Sequence, residues 1–90
     1  VIVTIIRITD RARFLEVFTT IGAAKRREHG CRRAQVFFDP NDAHRAWSIF
    51  DWDAKDYEGF LADPEIPALA RQLGLQSPPV HVVAATDLDA

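Results

Sequence analysis

The sequence predicts a single α+β domain over residues 1–90 with the element order βαββαβ, and three observations carry that reading. Segments rich in β-branched apolar residues stand at 1–9 and 80–85. Residues 10–29 and 53–73 repeat apolar side chains at three- and four-residue steps, the period of a helix face. Between them, the turn cluster Asp39, Pro40, Asn41 and Asp42 joins two further stretches of strand composition. Two split β-α-β units around a central hairpin give a ferredoxin-like, four-stranded antiparallel sheet with the helical segments on one face.

The elements follow in order. Residues 1–9 are β-branched almost throughout, and residues 1–6 are apolar at both parities, which suits a strand covered on both faces. Asp10 supplies an N-cap oxygen, and Phe14, Val17, Phe18, Ile21 and Ala24 form one stripe of a first helix. That helix gathers Lys25, Arg26, Arg27 and His29 near its end and stops at Gly30, because cations favour the negative end of the helix dipole and glycine accepts the left-handed closing conformation. Residues 32–38 and 45–52 are the hairpin strands. Asp53 is placed to cap a second helix, with Asp56 three residues on and Tyr57, Phe60 and Leu61 on a shared face. Asp63, Pro64 and Glu65 then mark a fresh helical start, so a break is expected near Pro64, with Ile66, Leu69, Ala70 and Leu73 running on to Gly74. Residues 80–85 form the fourth strand and 87–90 a short acidic end.

Composition bounds what the domain can do. The chain is 48% hydrophobic and 27% charged, an ordinary globular balance, and its net charge of −2 gives no general attraction to nucleic acid or anionic membrane. The single cysteine, Cys31, excludes an intrachain disulfide framework and points to a reducing compartment, the cytoplasm. The longest apolar run, at 1–6, is far short of the roughly 20 residues that span a bilayer. An antiparallel sheet with one wet face should alternate apolar and polar residues, yet the first and fourth strands do not. Something is therefore expected to cover the second face, and a second copy of the chain is the expected cover; the alternative is a monomeric open-faced sheet with a few exposed valines. Pairing would make a homodimeric closed barrel enclosing a cavity for a small apolar or aromatic ligand.

The order of elements, the Gly30-Cys31 junction, the Asp39-Pro40 turn, and Phe50, Asp51, Trp52 and Asp53 leading into a helix with Tyr57 and Phe60 together resemble the dimeric α+β barrel superfamily, in particular its antibiotic-biosynthesis monooxygenase-like branch. The resemblance covers nearly the whole chain. It implies a cofactor-independent monooxygenase acting on a small aromatic or polyketide-like substrate; the alternative is a non-catalytic dimeric barrel that binds a small apolar ligand or partner. Similar monooxygenases and haem degraders place a tryptophan beside the pocket, and Trp52 matches that position. Haem-degrading members also carry a pocket histidine on the following helix, where residues 66–71 have none, so no cofactor is expected.

Within that frame the candidate substrate-binding residues are Trp52, Phe50, Tyr57 and Ser48, and the candidate catalytic residues are Arg7 and His81. Trp52 would offer a broad π surface and one N–H donor, or would pack beneath the second helix. Arg7 interrupts an apolar strand; it either pairs with an acid such as Asp51 or faces the cavity as a cationic stabiliser. His81 points into the barrel as a proton acceptor or outward into water. On the third strand, Ser48, Phe50 and Trp52 form one inward set, and Trp47 with Ile49 the other. The spacing of His29, His44 and His81 fits no metal pattern. Lys25, Arg26, Arg27, Arg32 and Arg33 read as a solvated helix end, since the aromatic motif of RNA-binding sheets is absent from residues 33–38.

Overall fold

A computed structural model of the chain describes residues 1–82. The elements run β1 (Ile2–Arg7), α1 (Arg11–Thr19), α2 (Ile21–Glu28), β2 (Arg33–Phe38), β3 (Arg45–Asp51), α3 (Ala54–Ala62), α4 (Ile66–Leu73) and β4 (Val80–Val82). The strands form one antiparallel sheet in the order β2-β3-β1-β4, the ferredoxin-like arrangement. Of the fourth strand expected over 80–85, residues 83–85 lie outside the described residues, as does the acidic end.

Register decides which side chains meet. In β1, Ile2, Thr4 and Ile6 are buried while Val3 and Ile5 are half-buried and Arg7 is exposed. Thr4 lies opposite Ser48, and Ile2 opposite Phe50. Ala46, Ser48 and Phe50 therefore share the covered face, and Trp47 and Ile49 the open one, which resolves the parity of the third strand. Helices α1 and α3 cover this face with Phe14, Phe18 and Tyr57, closing a core around Ile2, Ile6, Ile8, Phe50 and Trp52. Phe14 is fully buried, a burial worth about 1.5–3 kcal/mol.

The first helical stretch departs from expectation. It breaks at Thr20, whose backbone is non-helical (φ −113°, ψ −91°). The hydroxyls of Thr19 and Thr20 donate to the carbonyls of Leu15 (2.7 Å) and Glu16 (2.6 Å), satisfying acceptors that a continuing helix would have used. The break turns Gly22, Ala23 and Arg26 inward and leaves Ile21 and Ala24 exposed, so these two leave the stripe assigned to them.

The second stretch breaks where proline predicts it, but Pro64 sits in the turn and Pro67 occupies the first turn of α4. Asp53 stands at the N-cap of α3 without a side-chain cap bond; its carboxylate takes a hydrogen bond from Arg32 instead (3.2 Å). Gly74 closes α4 at φ 74°, where a Cβ would come within 2.6 Å of the Thr9 hydroxyl. That close approach lets the Thr9 N–H reach the Gly74 carbonyl (3.1 Å) and seats the following chain beside β1.

Candidate functional site

Between the covered face of the sheet and the helices lies an apolar cavity of about 90 Å³. Its sheet wall is Thr4, Ile6, Ser48 and Phe50; Phe14 and Phe18 of α1 line one side, and Tyr57, Phe60 and Leu69 of α3 and α4 the other. This is the face opposite the one expected to enclose a ligand. The physical reason lies in side-chain size: Thr4 and Ser48 are small and adjacent in the centre of the sheet, so the helices above them cannot close completely on it.

Thr4 and Ser48 are both buried, and their hydroxyls are hydrogen-bonded to each other across the β1–β3 pair. Two hydroxyls bring two protons and only one lies between them, so the second is free to be donated to a guest. The Tyr57 ring meets Trp52 (5.3 Å between centroids) and His81 (5.3 Å), both near-perpendicular. Burial pushes its phenol above the ordinary tyrosine range.

Of the residues singled out from sequence, Ser48, Phe50 and Tyr57 line the cavity. Trp52 does not. It is 2% exposed, packs on Phe50, Tyr57 and Phe60, and donates its indole N–H to the His29 carbonyl (2.9 Å), so its only donor is taken. Arg7 points to the open side and pairs with Asp42 (2.7 Å), not with Asp51, whose carboxylate is held by Arg32 (3.0 Å). Strand alternation explains this: Ile6 and Ile8 take the covered side and force Arg7 to the other. His81 lies opposite Thr4 on the edge strand, hence on the covered side, but it is exposed against the Tyr57 ring and does not line the cavity.

The basic cluster at the end of α2 is divided rather than uniformly solvated. Lys25 reaches Asp63 (2.7 Å), Glu28 (3.2 Å) and Glu65 (3.2 Å). Through hydrogen bonding, chiefly to Lys25, the Asp63 carboxyl is held far below the usual carboxylate range. Glu28, His29 and Asp63 place three potential metal-ligand atoms within 4.8 Å of one another, a grouping invisible in the sequence because 34 positions separate His29 from Asp63. The Lys25 ammonium already neutralises those carboxylates.

Arg26 is the residue that sequence reasoning missed. It is 8% exposed and lines the cavity, and its guanidinium carbon lies 3.8 Å from the centroid of the Phe18 ring. It donates one hydrogen bond, to the Phe18 carbonyl (2.9 Å). No carboxylate pairs with it among the described residues. Desolvation lowers its pKa to about 10. The only signal in the sequence was its i+8 spacing from Phe18, which gains meaning only once the Thr20 break is known.

No family model matches this sequence, and no curated protein matches it. Solved structures do. SnoaB, a cofactor-independent oxygenase from Streptomyces nogalater, is 22% identical over 99% of this chain and 95% of that one, with a TM-score of 0.70, and a mutant form of SnoaB gives 0.69. A structure described as an antibiotic biosynthesis monooxygenase is 16% identical over 96% and 98% of the two chains, with a TM-score of 0.60. The likeness extends over nearly the whole chain, which thus shares the fold of the antibiotic-biosynthesis monooxygenase-like proteins.

Proposed function

We propose that this protein is a cofactor-independent monooxygenase of a small aromatic substrate. The observation that carries the reading is the cavity itself: an aromatic-walled space with a buried hydroxyl pair, on the fold of a cofactor-independent oxygenase. In such chemistry the ionised substrate is the reductant of oxygen, and the protein supplies shape, exclusion of water and a proton acceptor. Ser48 and Thr4 orient the substrate oxygen, Phe50 and Tyr57 hold its ring, and His81, exposed on the outer side of Tyr57, receives the proton. Trp52 supports Phe50 and Tyr57 from behind.

The cavity is well below the roughly 300–1,000 Å³ of sites for drug-sized ligands, which favours a single ring over a fused polyketide. The open face of the sheet, with Val3, Ile5, Trp47, Ile49, Phe37, Val80 and Val82, supports pairing into a homodimer. The second reading, a barrel that binds a small apolar ligand without turning it over, is favoured by the outward, ion-paired Arg7 and the exposed His81.

Oxygen uptake by the metal-free protein, in the dark, across a panel of hydroquinone- and anthrone-type compounds distinguishes the two. Uptake that falls in His81→Gln supports the oxygenase; ligand binding with no uptake across the panel leaves the passive barrel.

A further inference from the structure

We propose that Arg26 is the anion-binding residue of the cavity, and that the natural ligand is an aromatic compound presenting an ionised oxygen, a phenolate or enolate, to its guanidinium. This rests on the reading of the cavity as the ligand site, and it does not require that the ligand be oxidised.

Arg26 carries a charge that no carboxylate pairs among the described residues. An arginine at the end of a short surface helix would normally extend into water, as the neighbouring Arg27 does. Arg26 instead folds inward over the Phe18 ring and beside Phe50, its guanidinium carbon 3.8 Å and 5.7 Å from the two ring centroids. The stack on Phe18 offsets part of the cost of burying the cation. The bond to the Phe18 carbonyl caps a carbonyl freed by the helix break at Thr20. Both jobs together use one of five N–H donors, and the cap would be met equally by a neutral side chain. The full charge, held in surroundings that disfavour it, is unexplained by packing alone.

Position gives the charge its use. Phe18 and Arg26 form the shared wall of two spaces, the apolar cavity and an outer groove of about 250 Å³ lined also by Cys31, Arg27, Arg32 and Arg33. A ligand ring seated against Phe18, Phe50 and Tyr57 would place a substituent oxygen at that wall. In this weakly solvating setting a guanidinium stabilises the ionised oxygen over the protonated one, and in the groove outside Arg27 and Arg33, which no carboxylate pairs among the described residues, draw anions toward it while Arg32 is held by Asp51 and Asp53. An apolar ring with a neutral substituent gains nothing from the same contact.

4-Nitrophenol tests this, because its anion is yellow and its protonated form is not, and 4-nitroanisole is a matched probe that cannot ionise. The full chain is expected to bind nitrophenolate more tightly than nitroanisole and to raise the anion fraction at a pH near the free phenol's midpoint. Arg26→Met is expected to weaken nitrophenolate binding by about tenfold or more while leaving nitroanisole within about twofold; Arg71→Met, at an exposed position of α4 that lines neither space, is expected to change neither greatly. Arg26→Lys, which keeps the charge, should retain part of the preference and serves if the methionine variant does not fold. The proposal is overturned if the native chain binds neither probe, if it prefers nitroanisole, or if folded Arg26→Met keeps the full preference. Oxygen uptake is scored separately: a bound, ionised nitrophenol without turnover of any panel compound would sink the oxygenase and leave the anion site standing.

Discussion

The Lys25 ammonium lies 2.7 Å from the Asp63 carboxylate, and with side chains only 10% and 11% exposed the pair ties the last turn of α2 to the break between α3 and α4. His29 (2.8 Å) and the Glu65 N–H (2.9 Å, to the other carboxylate oxygen) complete the surroundings of Asp63. The helices that roof the cavity are therefore joined to each other by charge as well as by packing.

Asp63→Asn is expected to lower the melting temperature more than Asp51→Asn, whose pair with Arg32 is half-exposed and hence screened. The pH dependence has a definite sign. Hydrogen bonds from Lys25, the Glu65 N–H and His29 lower the Asp63 pKa, so the native state binds its proton less readily than the unfolded chain. Its contribution is present above the ordinary carboxylate range and is lost as pH falls toward the lower native value. Urea unfolding of both proteins should show their stability difference full at neutral pH and shrinking in acid; a difference that grew in acid would contradict the assignment.

Ser48→Ala removes the partner of a buried hydroxyl and should cost about 1–3 kcal/mol, because Thr4 is left with an unpaired polar group. Adding Thr4→Val removes that group too and should recover part of the loss. Urea unfolding of the single and double variants gives the comparison, and additive losses would mean that the two hydroxyls are independent.

Tyr57 is the one tyrosine in the chain, so the tyrosinate absorbance reports it alone. Burial raises its pKa, and its midpoint in the folded protein should lie above the value of about 10 found in the unfolded chain. Stability contributed by the neutral phenol is present below the unfolded value and falls as pH rises through the interval between the two. An alkaline spectrophotometric titration with and without guanidinium measures the gap; coincident midpoints would place the hydroxyl in water.

Trp52→Phe deletes the bond to the His29 carbonyl and is expected to destabilise by about 1–3 kcal/mol while leaving ligand affinity within about twofold. Thermal unfolding and nitrophenol binding separate these effects. A large loss of affinity with little loss of stability would return Trp52 to the ligand.

The open face carries its own test. Ile5 lies between Trp47 and Val80 in the register of the sheet, so Ile5→Lys puts a charge in the middle of the apolar surface. Sedimentation should give a dimer for the native chain and a monomer of unchanged secondary structure for the variant; a native monomer at micromolar concentration would remove the pairing.

Element order, the hairpin and the caps at Asp10, Gly30 and Gly74 were legible because each depends on local chemistry: β-branching, turn residues, a short side-chain acceptor, a positive φ. The break near Pro64 was legible for the same reason. The site was legible only in part. Ser48, Phe50 and Tyr57 could be named as candidates, but strand alternation offers two faces and nothing local says which one the helices cover. Only tertiary packing set Ser48 against Thr4, sent Arg7 outward to Asp42, and spent the Trp52 donor on His29. The break at Thr20 had the widest consequence. By rotating α2 it buried Arg26 beneath a phenylalanine and made, from what the sequence presented as a solvated basic end, the cation of the cavity wall. Sequence determines which residues are available to each element; the helix axis and its rotation decide which of them meet, because a side chain's neighbours across a core come from other elements rather than from its own.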